Sequence, residues 1–292
     1  MKNIQKEIAN IRTGHFAPVY LVLGEEKYFV ERIREAIIDE ALDEESIDLN
    51  FANFDMEEFS ISEALFEASS FPFFGDRKVV FVQNPFFLTG QNVKGAPDHS
   101  LDEVLYYLEN PADFSILVFF APYEKLDRRK KVTKLLESTA TVIDVSLPYP
   151  NEANQYIKEI VKEKGYHFSE GAFQLFTERT DGNLTKMMHE LDKLFMLHIE
   201  SKNITIDSVR QLVPKTLEQN VFELNTLVLN NQVEASIETY HDLLVQKEEP
   251  IKIVALLIAQ FRLLLQVKIL QKQGYQQTDI AKVLKVHPYR VK

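Results

Sequence analysis

The first half of the chain alternates short apolar blocks with amphipathic stretches. Val19-Tyr-Leu-Val-Leu23, Val79-Val-Phe-Val82 and Ile116-Leu-Val-Phe-Phe120 are continuous runs of β-branched, leucine and aromatic residues. Such runs suit strands covered on both faces. The pattern predicts strands near residues 18–23, 47–54, 77–83, 115–121 and 141–146, and helices near 27–42, 59–69, 99–109 and 128–138. This alternation argues for an α/β domain with a doubly wound parallel sheet. Met1 to Ile11 precede it as a charged amphipathic stretch, not a signal peptide. Residues 84–98 form a loop rich in Asn, Gly and Pro.

Leu147-Pro-Tyr-Pro150 is the clearest boundary, because proline continues neither element. Beyond it strand signals stop. Helical spacing predicts elements near 151–164, 169–180, 184–199 and 207–213, then 217–230, 232–246, 250–273 and 278–284. Gly165 and Gly182 read as stops and Ser169 as an N-cap. The expected division is an α/β domain over 1–147 and two all-α domains over 148–214 and 215–292. Residues 251–271 are the most apolar run, but Lys252, Gln260, Arg262, Gln266 and Lys268 interrupt it, so a buried helix is expected and not a membrane span. The chain ends at Arg290-Val-Lys292 inside an unfinished helical pattern, so a further segment is expected after it.

With 292 residues, 45% hydrophobic and 26% charged, the chain has the profile of an ordinary globular protein of two or three domains. It has no cysteine, which excludes disulfides, thiolate catalysis and cysteine zinc sites and fits an intracellular location. The net charge of −11 argues against a free-standing DNA-binding protein, because phosphate attraction supplies most non-specific affinity. That charge is uneven. Ile251 to Lys292 hold eight basic residues and one acidic one, which leaves −18 on residues 1–250. Either an acidic partner or DNA near the C-terminal end, or chance in a short segment, accounts for this.

The strand ending at Gly24 and the helix that follows occupy the place where nucleotide-binding folds put a glycine-rich phosphate loop with its Lys and Ser/Thr. Only the first glycine is present. The positions around Tyr28 and Phe29 that should be Gly, Lys and Ser/Thr are bulky, and Glu25 and Glu26 oppose a polyphosphate. The strand at 77–83 runs into Gln83-Asn84-Pro85 where an ATPase places the Asp-Glu that holds Mg²⁺ and activates water. Two readings stay open on the residues alone: a nucleotide-binding scaffold without its chemistry, or a generic α/β domain. An active ATPase would need a Lys and a Ser/Thr after Gly24 at the right spacing, and neither is there.

Ser69-Ser-Phe-Pro-Phe-Phe-Gly-Asp-Arg77 packs three phenylalanines between a helix and a strand, with Pro72 and Gly75 forcing a turn. These rings either anchor a partner or tuck against their own domain. Lys125-Leu-Asp-Arg-Arg-Lys-Lys131 is expected to open a helix with Asp127 as N-cap and five basic residues against the helix dipole, facing an acidic partner, DNA or solvent. Gln277 to Val291 has a helix-turn-helix outline with a reading helix from 287, or is ordinary helix packing; Lys285 replaces the usual turn glycine. The seven histidines lack metal-ligand spacing, and no nucleophile signature is present.

Taken together, Ser70-Phe-Pro-Phe-Phe-Gly-Asp-Arg-Lys78, Ala121-Pro-Tyr-Glu-Lys-Leu-Asp-Arg-Arg-Lys-Lys131, Leu217-Glu-Gln-Asn-Val-Phe-Glu-Leu224, Glu249-Pro-Ile-Lys252 and Val286-His-Pro-Tyr-Arg-Val-Lys292 resemble the delta subunit of the bacterial DNA polymerase III clamp loader. The resemblance runs over essentially the whole chain. It implies an AAA+-like domain without ATP binding, a small helical lid and a helical collar that continues past Lys292. It implies no cofactor and no catalysis of its own; any nucleotidyltransferase label would be inherited from the polymerase. The implied partners are the sliding clamp, the ATPase and delta prime subunits in a hetero-pentamer, and primer-template DNA through the assembled loader, in the cytoplasm and without a membrane. Matched on Gly75-Asp76-Arg77, the clamp-opening wedge falls on Phe73 and Phe74. Phe71 belongs to the same clamp-binding stretch but, nearer the helix end, is expected to be more internal. Arg128, Arg129, Lys130 and Lys131 are the candidate DNA or partner contacts. The rival readings are a divergent AAA+ ATPase and a DNA-binding regulator with a C-terminal helix-turn-helix.

Overall fold

The computed structural model describes residues 2–43, 45–73, 75–284 and 286. In chain order the elements are α1 (Lys2–Arg12), β1 (Val19–Leu23), α2 (Lys27–Ala41), α3 (Ile47–Asn50), β2 (Phe51–Asp55), α4 (Ile61–Ser69), β3 (Lys78–Gln83), α5 (Leu101–Glu109), β4 (Ser115–Ala121), α6 (Lys131–Thr139), β5 (Thr141–Asp144) and α7 (Pro150–Glu163). They continue with β6 (His167–Phe168), α8 (Ala172–Arg179), α9 (Leu184–Leu197), β7 (Asn203–Ile204), α10 (Ile206–Leu212), α11 (Leu217–Leu229), α12 (Val233–Val245), α13 (Pro250–Lys272) and α14 (Gln277–Leu284). Two compact units result: residues 1–166 with 182–192, and residues 167–181 with 193–292.

The first unit is built on a five-stranded sheet in the order β2-β3-β4-β1-β5, with every pairing parallel. Leu21 lies beside Phe119 on one side and Val142 on the other. All seven residues of β4 are buried, as expected of a central strand with helices on both faces. On one face Val80, Val82, Leu117 and Phe119 pack with Ile61, Ala64, Leu65 and Ala68 of α4, Val104 and Leu108 of α5 and Leu136 of α6. On the other, Phe29, Ile33, Ala36 and Ile37 of α2 are buried, and the Arg34 guanidinium lies 5.2 Å from the Phe81 ring centroid and 4.9 Å from that of Phe120. The α4 stripe follows the i, i+3, i+4, i+7 spacing that apolar periodicity forecasts.

Several expectations need correction. Residues 47–50 are a helical turn and not the start of a strand. Ser46 Oγ donates to Asp43 O at 3.0 Å and accepts from Asp43 N at 3.1 Å, so local turn chemistry outweighs the apolar run until Phe51. Ser169 does not cap α8; the cap is Gly171, and Ser169 O accepts from Ala172 N at 3.1 Å. Strands do recur after Pro150, as the parallel pair β6–β7, but at two residues each they are too short to show a period.

In the second unit, Arg179 Nη1 donates to Arg210 O at 2.8 Å and to Val213 O, placing a cation at the C-terminal end of α10. Thr216 caps α11 by accepting from Gln219 N, and the Gln219 amide reaches back to Glu178 O and Asp181 Oδ1. Phe176, Leu194, Ile204, Val209 and Val213 are buried in this unit, and helices α11 to α14 contribute two clusters among the described residues. One gathers Val221, Leu224, Leu243 and Ile253; the other gathers Val267, Ile280 and Ala281.

The expectation of a buried helix at 251–271 fails. Of α13 only Ile253 and Val267 are buried, while Ile251, Val254, Ile258 and Leu265 are exposed. The reason is that only one face is covered: Ile253, Leu256 and Leu257 pack with α11 and α12, and Leu263, Val267 and Leu270 with α14, while the exposed residues interleave with them on the rest of the helix. It is also the one helix among the described residues that is long and apolar enough, by length and composition alone, to cross a membrane.

Gly24 shows how tightly the first unit is closed. Its φ is +129°, and a Cβ there would lie 2.4 Å from Val145 C and Ser146 N. Gly24→Ala should therefore destabilise the unit by about 2 kcal/mol or more, from left-handed strain plus a backbone clash. Urea denaturation of the variant beside wild type measures this.

Candidate functional site

The loop from Gly24 to α2 lies over the ends of β4 and β5. Gly24 N donates to Ala121 O at 3.0 Å, Val145 N to Leu23 O at 2.7 Å and Glu26 N to Val145 O at 2.9 Å. These bonds consume backbone groups that a phosphate loop would turn toward a ligand. The free amides at a helix start still call for an acceptor. Glu26 supplies it: its carboxylate, on a residue only 1% exposed, accepts from Tyr28 N at 3.3 Å. Thr185 of α9 completes the arrangement, its hydroxyl donating to Glu26 Oε1 while accepting from Tyr28 N at 3.1 Å.

Aromatic rings close the same place. Phe29 and Tyr156 meet edge to face at 5.3 Å, and Tyr28 sits 6.2 Å from Tyr156. Arg32 Nη1 donates to Tyr28 Oη at 3.0 Å. Burial, then the neighbouring Tyr28, pushes the Tyr156 phenol well above its ordinary range, so Tyr156 stays neutral at physiological pH. The region where a nucleotide's phosphates would lie thus holds an internal carboxylate, a threonine and packed rings.

At the end of β3, the side chains are turned to structural use. Gln83 Nε2 donates to Asn53 Oδ1 at 3.0 Å and Asn84 Nδ2 to Asp55 Oδ2 at 2.9 Å, tying β3 to β2. No group of three or more metal-ligating side chains is gathered among the described residues.

The aromatic loop lies between α4 and β3. Phe73 is 73% exposed, and its backbone N–H donates to Asn50 Oδ1 at 2.7 Å. Phe71, expected to be internal, is 80% exposed and only rests one ring face on Phe114, 4.6 Å away. The chain leaves α4 at Ser70 before Phe71 could join the α4 stripe. Phe74 lies outside the described residues. Two further exposed aromatics escaped the sequence reading: Phe66 on α4 and Tyr106 on α5, which with Leu65, Tyr107 and Asp102 line an open groove of about 670 Å³. The signal was present, since Phe66 falls outside the apolar spacing of Ile61, Ala64, Leu65 and Ala68.

The basic stretch is not a helix start. Residues 127–130 form a turn closed by Lys130 N donating to Asp127 O at 3.1 Å, α6 begins at Lys131, and the cap position is Lys130. Asp127 instead closes the turn, accepting from Arg129 N at 3.1 Å and from the Arg129 guanidinium at 2.9 and 2.8 Å. Those hydrogen bonds, the side-chain one foremost, hold its carboxyl down at about 2. The short-range Asx-type bond stops the helix from starting earlier, so most of the expected dipole penalty never arises. Arg128 forks onto Glu137 at 2.9–3.1 Å, and Lys130 Nζ donates to Phe87 O at 2.8 Å. Arg128, Arg129 and Lys131 remain exposed. The outlined reading helix from His287 lies outside the described residues.

A sequence model of the DNA polymerase III delta subunit matches residues 20–146, and one of that subunit's C-terminal domain matches residues 218–292. DNA polymerase III subunit delta of Bacillus subtilis (strain 168) is 38% identical over 283 residues, covering 97% of this chain and 82% of that protein. A probable DNA polymerase III subunit delta of Aquifex aeolicus (strain VF5) is 24% identical over 260 residues, covering 88% and 72%. Among solved structures, the Bacillus subtilis DNA clamp loader delta protein matches with a TM-score of 0.73 at 37% identity, over 99% of this chain and 85% of that one.

The filled α2 start yields one prediction. Glu26→Ala should cost about 1–2 kcal/mol, as for loss of a helix cap, and neither it nor wild type should bind Mg·ATP in calorimetric titration. A micromolar dissociation constant for wild type would refute the reading of this site.

Proposed function

The chain belongs to the DNA polymerase III delta subunit family, and from that premise we propose that this clamp-loader subunit binds the sliding clamp through its aromatic loop and helps open it. The observation that carries this is Phe73, held on a turn between α4 and β3 with its ring 73% exposed. A large exposed ring at a fixed position is suited to fill an apolar pocket on a partner. Phe71 in the same stretch is equally exposed, and Phe74 belongs to that stretch by sequence.

The work proposed is differential binding and not catalysis. A ligand shifts an equilibrium only by its difference in affinity for the two states, so the loop must bind the opened clamp better than the closed one. ATP hydrolysis then belongs to partner ATPase subunits, which with delta prime complete a hetero-pentamer on primer-template DNA in the cytoplasm. The proposed division is 1–147 for the AAA+-like domain, 148–214 for the lid and 215–292 for the collar, with the exposed apolar face of α13 available to neighbouring subunits. The divergent-ATPase reading is disfavoured by the carboxylate already seated at the start of α2.

Burying a phenylalanine in a partner's pocket is worth ~1.5–3 kcal/mol. Phe73→Ala with Phe74→Ala should thus weaken clamp binding by roughly two orders of magnitude at about 1.4 kcal/mol per decade. The melting temperature should change little. A variant that melts well below wild type yet binds the clamp normally in its folded fraction would assign these rings to the core.

Arg128, Arg129, Lys130 and Lys131 are proposed to face DNA or an acidic subunit in the assembled loader. Reversing the charge of Arg128 and Lys131 should reduce loader–DNA or loader–subunit affinity, most at low salt. Unchanged affinity at low salt would leave them as a solvated turn.

A further inference from the structure

We infer that Asn50, supported by the Glu67–Lys78 ion pair, is a positioning residue that pre-organises the aromatic loop for its partner; this rests on the clamp-binding reading above. Asn50 ends α3 and is 1% exposed. A buried amide normally serves other buried groups, because an unpaired polar atom inside is costly. Here its carbonyl oxygen accepts, at 2.7 Å, from the backbone N–H of a residue whose own ring stands in solvent. The bond therefore fixes where the Phe73 ring starts from without covering it.

Two more contacts hold the base of the same loop. Lys78, first residue of β3 and 5% exposed, pairs with Glu67 in the last turn of α4 at 2.5 Å. The Arg77 guanidinium lies 4.9 Å from the Phe16 ring centroid. Exposed Phe71, Phe73, Gly75 and Asp76, with Gly75 at positive φ, would otherwise be free to sample many conformations. Ordering such a segment on binding subtracts from affinity, and a loop already ordered avoids that loss. These contacts, from α3, between α4 and β3, and from the segment before β1, hold the backbone on both sides of the exposed Phe73 ring.

The test measures three things on the full chain: clamp affinity, hydrogen exchange of the Phe73 amide, and melting temperature. Asn50→Ala, with every aromatic intact, should weaken clamp binding by about tenfold, an order of magnitude set by the ordering cost of a few residues. It should also release the Phe73 amide to fast exchange. Asn50→Asp, which keeps an acceptor oxygen, should restore both toward wild type. If Asn50→Ala does not fold, Lys78→Met replaces it and should weaken binding severalfold. Normal clamp affinity in a folded Asn50→Ala or Lys78→Met variant, while Phe73→Ala still loses binding, overturns the positioning role alone. Should Phe73→Ala itself bind normally, the clamp-binding reading falls and this inference with it.

Discussion

Everything in the first unit depends on how closely the backbone after β1 approaches the backbone after β5. Gly24 passes so near Val145 and Ser146 that no side chain fits, and the bonds from Glu26 N and Val145 N lock the two segments together. That contact sets the height at which α2 begins. It brings the Glu26 carboxylate to the helix amides and Thr185 to the carboxylate. An anion at a helix start is favourable whether it comes from a ligand or from the chain. Here the chain provides its own, inside a wall of Tyr28, Phe29 and Tyr156. The scaffold keeps the strand order and the glycine of a nucleotide-binding fold while using the glycine for close packing.

A scaffold with no open phosphate position can still do work at its surface. The sheet is rigid because β4 is buried throughout and α4 presses a regular apolar stripe onto it. The loop that leaves α4 inherits that rigidity through Asn50 and Lys78. Phe71 and Phe73 are exposed on a held base, which is the arrangement a binding surface needs if affinity is not to be lost to ordering. The second unit has the opposite character. The clusters that α11 to α14 share are small, and α13 is packed on one face only, so much of its apolar surface is uncovered among the described residues. Large exposed apolar surface on a long helix is the usual mark of a face meant for a partner.

By itself, the sequence determined most of the element order. The apolar blocks at Val79–Val82 and Ile116–Phe120 could only be doubly covered strands, and the Pro and Gly positions punctuated the helices within a few residues. It also carried the family: the quoted stretches from Ser70 to Lys292 led to the delta subunit, and the similarity of the whole chain bears that out. The lack of a Lys and a Ser/Thr at the phosphate-loop spacing after Gly24 was equally legible, because which residue stands at a position is a covalent fact. What tertiary structure alone decided is where each group's partner comes from. Glu26 read as a charge that would repel phosphate, yet it is buried and capping because Thr185, far along the chain, comes to meet it. Asp127 read as a helix cap, yet a bond to its near neighbour Arg129 ends that role. Phe71 read as internal and α13 as buried, yet burial depends on whether another element is near enough to cover a surface. Periodicity records which face of an element is apolar; only packing records what lies against it.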